Sequence, residues 1–109
     1  MEIPRARMSP RERECRSRLA QLVSTSALLR ATLTVRSRVC GKPGCRCASG
    51  AKHTSLYVVS RRDGRVRQVC VPRSLEEAVR DWVATYERAQ RLFDEISEAY
   101  WASVQRKER

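Results

Sequence analysis

Three cysteines within eight residues, Cys40-Gly41-Lys42-Pro43-Gly44-Cys45-Arg46-Cys47, constrain this chain more than any other feature. Residues 40–53 hold three glycines and one proline, so neither a helix nor a strand is expected there. Something other than a backbone ladder must hold the segment. His53, the only histidine, completes a Cys-x4-Cys-x-Cys-x5-His spacing. Zinc takes four soft or borderline ligands in a tetrahedron, and the glycines let the backbone curl so that several sulfurs converge. The expectation is one structural Zn2+ per chain, held by Cys40, Cys45, Cys47 and His53. Cys70 is the alternative fourth ligand, and water or an outside ligand would also complete the set. The spacing is not the common Cys-x2-Cys, so other readings stay open. They are a redox pair at Cys45-Arg46-Cys47, with Lys42 and Arg46 lowering thiol pKa values, an iron–sulfur cluster, and thiols without a role. No thioredoxin-like βαβ pattern surrounds the redox reading.

The flanking sequence predicts an α+β chain: an N-terminal helix, a strand, the cysteine loop, a β-hairpin and a long C-terminal helix. The expected parts are a disordered basic lead-in at 1–8, a helix within 9–31, the loop and a small three-stranded antiparallel sheet within 32–73, and a helix within 74–109, as one domain. Ser9-Pro10-Arg11-Glu12 reads as a helix start, with Ser9 as N-cap, Pro10 at the first position and Glu12 closing a capping box. Glu12–Arg16 and Glu14–Arg18 are favourable i,i+4 pairs, and apolar spacing extends the helix over about 10–30. Cys15 falls on its apolar face and is expected to pack there. Leu33–Val39 alternates as a half-buried strand. Leu56–Ser60 and Arg65–Val71 flank Asp63-Gly64, a type I′ turn signal. That turn sets Arg62 opposite Arg65, Ser60 opposite Arg67 and Tyr57 opposite Cys70, and puts His53 and Cys70 on one face. Ser74-Leu75-Glu76-Glu77 reads as a second capping box, followed by a helix over about 75–105. Leu75, Val79, Trp82, Tyr86, Ala89, Phe93, Ile96 and Tyr100 mark a 4-3-4-3 seam along it. Thirty residues span about 45 Å at 1.5 Å each. The hairpin cannot cover that length, so the rest of the seam needs the first helix or another chain.

The block Cys40 to Cys47, with Gly50, His53, Leu56-Tyr57-Val58 and Val71-Pro72, resembles a family of short prokaryotic proteins of unknown function. Its members carry a CGKPxCxCxxGxxHGPY-type core, a basic hairpin, a Val-Pro step and a long helix, and they resemble accessory proteins found around mobile elements. The resemblance runs over about residues 29–100 and implies no activity. It implies Cys40, Cys45, Cys47 and His53 as the ligand set, since Cys70 is outside the pattern. Thr54-Ser55-Leu56 replaces the usual Gly-Pro-Tyr after the histidine.

Charge narrows the function classes. Of 23 Lys/Arg and 12 Asp/Glu, residues 1–73 hold 17 and 4, and residues 74–109 hold 6 and 8. A basic front half suits a polyanion. Nucleic acid, DNA or RNA, is the expected partner. Arg36, Arg38, Lys42, Arg46 and Lys52 would stand at the base of the site and Arg61, Arg62, Arg65 and Arg67 at the hairpin tip, mainly touching phosphates. The alternative is an assembly protein that forms a homodimer through residues 75–105 or docks on a larger partner such as a recombinase. No enzyme is expected: one histidine, no Gly-rich phosphate loop and no paired carboxylates near the cysteines leave no acid–base constellation. No apolar run of 18 residues spans a membrane and no apolar leader precedes the first helix. A cytoplasmic, reducing setting is therefore expected, where clustered cysteines are more often ligands than disulfides.

Overall fold

The computed structural model describes residues 1–38 and 53–107. The element order is a 3-10 turn at Arg5–Arg7, α1 (Pro10–Thr25), β1 (Thr32–Arg38), β2 (His53–Arg62), β3 (Arg65–Cys70), a 3-10 turn at Arg73–Leu75 and α2 (Glu76–Lys107). This is the α+β class expected. By contacts the chain divides into two units: Met1–Leu28 with Ala84–Arg109, and Leu29–Val83.

In the first unit, α1 lies antiparallel to the distal part of α2. Ser9 Oγ accepts from the Glu12 amide at 3.1 Å, the expected N-cap. The reciprocal half of the capping box does not form. Glu12, only 7% exposed, instead accepts from the Tyr100 hydroxyl at 2.8 Å and from Arg16 Nε at 2.8 Å. A partner on the facing helix outcompetes the local backbone amide. Cys15 is buried as expected and its thiol donates to Glu95 Oε2 at 2.9 Å, while Arg11 also reaches that carboxylate. The hydrogen bond to Glu95 and then burial push the Cys15 pKa up.

The helix α1 stops at Thr25, five residues short of the expectation. Ser24 and Thr25 turn their hydroxyls onto the Ala20 and Gln21 carbonyls, and such local bonding weakens helix continuation. Leu29, whose apolar spacing suggested more helix, lies beyond its end. Leu29 belongs to the second unit, where its amide donates to the Trp82 carbonyl at 3.1 Å.

That unit is an antiparallel meander, β1-β2-β3. Leu33 pairs with Val58 and Val58 with Val69. Leu56, Val71 and Val79 form its buried centre, with Leu29, Leu33, Val58 and Trp82 packed around them. One face of the sheet thus covers the first turns of α2, and Val71 N extends the ladder to the Leu56 carbonyl at 2.7 Å. Ser74 is not an N-cap. It lies inside the 3-10 turn Arg73–Leu75, whose N-cap is Pro72 without a side-chain bond. The α2 seam also differs from the expected one. Val79, Val83, Thr85 and Ala89 are buried, Leu92, Ile96 and Tyr100 are half-buried, and Phe93 is 55% exposed. Phe93 is one position off the stripe that α1 covers, so it faces away.

Candidate nucleic-acid interface and metal loop

The β2–β3 turn has the expected chemistry. Asp63 and Gly64 sit at φ 54° and 76°, both left-handed, as a type I′ turn requires. Nothing lies within 4 Å of where a Gly64 Cβ would stand, so the glycine serves the backbone angle rather than space. The register is also as expected: Arg62 opposite Arg65, Ser60 opposite Arg67, Tyr57 opposite Cys70. Like charges facing across a ladder repel. The one acid at the tip relieves this little, since Arg62 Nε is 3.9 Å from an Asp63 carboxylate that is 91% exposed.

The four tip arginines do not form one cluster. Successive strand residues alternate faces. Arg62, Arg65 and Arg67 share one face, where they line a shallow depression with Asp63. Arg61, paired with Val66, is on the other. That other face carries a cluster which the sequence reasoning saw only in part. The Arg36 guanidinium stacks over the Tyr57 ring, 4.3 Å from its centroid. It also donates to Gln68 Oε1 on β3. Arg36 therefore reaches from β1 across β2 to β3. Tyr57 and Gln68 were missed because the β1–β2 register, which pairs Arg36 with Ser55 and so sets it diagonal to Tyr57, cannot be read through the long connection between the strands.

Among the expected site residues, Cys40, Lys42, Cys45, Arg46, Cys47 and Lys52 lie outside the described residues. Arg38 closes β1 and His53 opens β2, and the two are cross-strand partners. The chain thus leaves and re-enters the sheet at one pair, roughly 5 Å across. Cys70 pairs with Tyr57, four residues along β2 from His53. At 3.4 Å per residue that is about 14 Å along the strand. Cys70 is exposed and free. Among the described residues no three His, Cys, Asp or Glu side chains gather as a metal group.

A family model described as a domain of unknown function, DUF6788, matches residues 12–81. The chain belongs to this family. The DUF6788 match takes in α1 from Glu12, the whole sheet, the cysteine segment and the first turns of α2. It begins earlier and ends earlier than the resemblance read from the motif. No curated protein and no solved structure matches the chain. No described helix is long and apolar enough to cross a membrane.

Proposed function

We propose that this chain is a non-enzymatic nucleic-acid-binding module whose cysteine loop is fixed by one structural zinc ion. The observation that carries this is the arginine-lined hairpin: Arg62, Arg65 and Arg67 on one face with Asp63 as their only acid. Six arginines and no acid occupy the three strands, and Asp63 sits in the turn that joins β2 to β3. An arrangement that repels itself is offset when an anion neutralises it, and an exposed fork of guanidinium groups suits phosphate oxygens. Cys40, Cys45, Cys47 and His53 would hold the zinc. Three thiolates and an imidazole are a zinc donor set, and the Arg38–His53 pair brings the ends of the ligand segment together. The offset of Cys70 along β2, about 14 Å, favours His53 as the fourth ligand. Zinc bound there would supply a rigid cross-link between β1 and β2.

The test is a titration of labelled duplex DNA at several salt concentrations. Each phosphate contact contributes a slope of about −0.9 in log affinity against log salt. Changing Arg62, Arg65 and Arg67 together to Ala flattens the slope by about 2.7 if each makes one contact. Affinity falls about equally for all sequences, because phosphate contacts do not specify bases. An unchanged slope, or no binding tighter than millimolar in low salt, removes this reading.

A second reading is supported by the exposed apolar side of α2. Phe93, Trp101 and Val104 are 55%, 60% and 52% exposed, and their spacing of eight and three puts them on one side of the helix. A second copy of the chain joined along α2 would cover them.

A further inference from the structure

The geometry points to a base-stacking platform on the outer sheet face, formed by Arg36, Tyr57 and Gln68, that makes the preferred ligand a single-stranded nucleic acid. This rests on the nucleic-acid reading and names the form of the ligand.

An arginine on an open sheet face ordinarily samples many rotamers. Here the Arg36 guanidinium is fixed from two directions. The Tyr57 ring lies beneath it at 4.3 Å, and the Gln68 amide oxygen on β3 takes one of its N–H groups. What results is a flat, charged plate held against the sheet, with Arg36 itself exposed. A guanidinium plane stacks on a nucleobase as it does on an aromatic ring. The lower side of this one is taken by Tyr57, so the upper side is left for a base. Every base offers a π-face, so such a plate is tolerant of sequence.

The surroundings suit a strand rather than an apolar partner. The register puts Arg61 on the same outer face toward the turn, opposite Val66, with Thr34, Ser55 and Val59 beside the cluster. No acid lies on that face in β1, β2 or β3. A base stacked on Arg36 leaves its phosphates near cations with no carboxylate to repel them. A duplex cannot use the plate, because its bases are already stacked on one another. The hairpin tip, by contrast, meets phosphates in either form. The two surfaces thus divide the work: Arg62, Arg65 and Arg67 read charge, and Arg36 on Tyr57 reads an unpaired base.

The decisive variant is Arg36→Lys, which keeps the charge and removes the plane; Tyr57→Ala removes the support beneath it. Both residues are on the face away from the Leu56–Val71–Val79 core, and circular dichroism checks that the fold is kept. Wild type and variants are titrated with a labelled single strand of about 12 nucleotides, as DNA and as RNA, with the matching duplex, and with an abasic strand that has the phosphates but lacks the bases. Stacking on one side chain strengthens binding by roughly tenfold or more per base. Arg36→Lys should therefore lose roughly tenfold on the single strands and nothing measurable on the duplex or abasic strand. Wild type should bind the abasic strand about as weakly as Arg36→Lys binds the normal one. Equal losses on all four probes would make Arg36 a plain phosphate contact, and no loss on any would make it a bystander; either overturns the platform and leaves the tip's nucleic-acid role standing. Failure of wild type to bind any probe removes the nucleic-acid reading itself.

Discussion

Glu12 shows how a single carboxylate can be placed correctly in sequence and still be misassigned. Its position at the third residue of α1 and its i,i+4 bond to Arg16 are as the pattern implies, yet its main partner is Tyr100, 88 residues away. Nothing local in the sequence names that partner. The Tyr100 hydroxyl bond, followed by the Arg16 hydrogen bond and charge, outweighs burial and holds the Glu12 pKa below the ordinary 4.5. A depressed carboxylate pKa stabilises the fold above the unfolded value, and that contribution is lost as pH falls through the folded value. The loss therefore begins below about pH 4.5. Glu12→Gln removes the titrating charge and should cost roughly 2 kcal/mol near neutral pH, the range for a hydrogen bond to a charged group. Urea unfolding at several pH values checks this: the gap between wild type and Glu12→Gln should shrink steadily as pH falls below about 4.5. A gap independent of pH would mean that the Glu12 charge is not what α2 recognises.

At the level of elements, what the sequence made legible is what is encoded within one strand or turn. The Asp63-Gly64 turn sets the β2–β3 register without help from outside, and that register is found residue for residue. The β1–β2 register is not encoded this way, and with it the Arg36–Tyr57–Gln68 cluster stayed hidden. The 4-3-4-3 reading of α2 located a helix but took in two exposed residues, Leu75, which precedes α2, and Phe93; an ideal helix advances 3.6 residues per turn and a 3.5 repeat drifts by about 20° per heptad. Two heptads after Val79 the drift has carried Phe93 off the covered stripe, while Leu92 moves onto it. The two sides of α2 should therefore respond differently. Leu19, at 9% exposure on α1, should cost about 2–3 kcal/mol when changed to Ala, toward the low end for buried leucines because a pair of helices can close up around a gap. Phe93→Ala should cost well under 1 kcal/mol in a monomer. Denaturant midpoints at two protein concentrations measure both. A large, concentration-dependent loss from Phe93→Ala would show that a second chain covers the exposed side of α2.

Over the whole molecule, the expectation of a helix too long for its hairpin is resolved by division of labour. The sheet covers α2 as far as Val83, and α1 packs against the residues beyond it. The sheet unit has a small buried centre, Leu56, Val71 and Val79, and all of β3 is exposed. It also contains the long connection from Arg38 to His53, whose closure costs entropy. A metal clip on that connection returns the most where the core is smallest. Structural zinc contributes about 10–16 kcal/mol of apparent binding free energy in small modules, comparable to or above the roughly 5–15 kcal/mol that holds a typical domain together. Chelation should accordingly release one zinc per chain and unfold the sheet. Amide exchange should then accelerate through β1, β2 and β3 well before it does in α1, which shares no ligand with the loop. Cys45→Ser should mimic chelation, and Cys70→Ser should leave metal content and exchange unchanged. If the metal-free protein keeps full protection in β2, the three cysteines are not what closes the sheet; if Cys70→Ser sheds the zinc as readily as Cys45→Ser, the fourth ligand is Cys70 rather than His53.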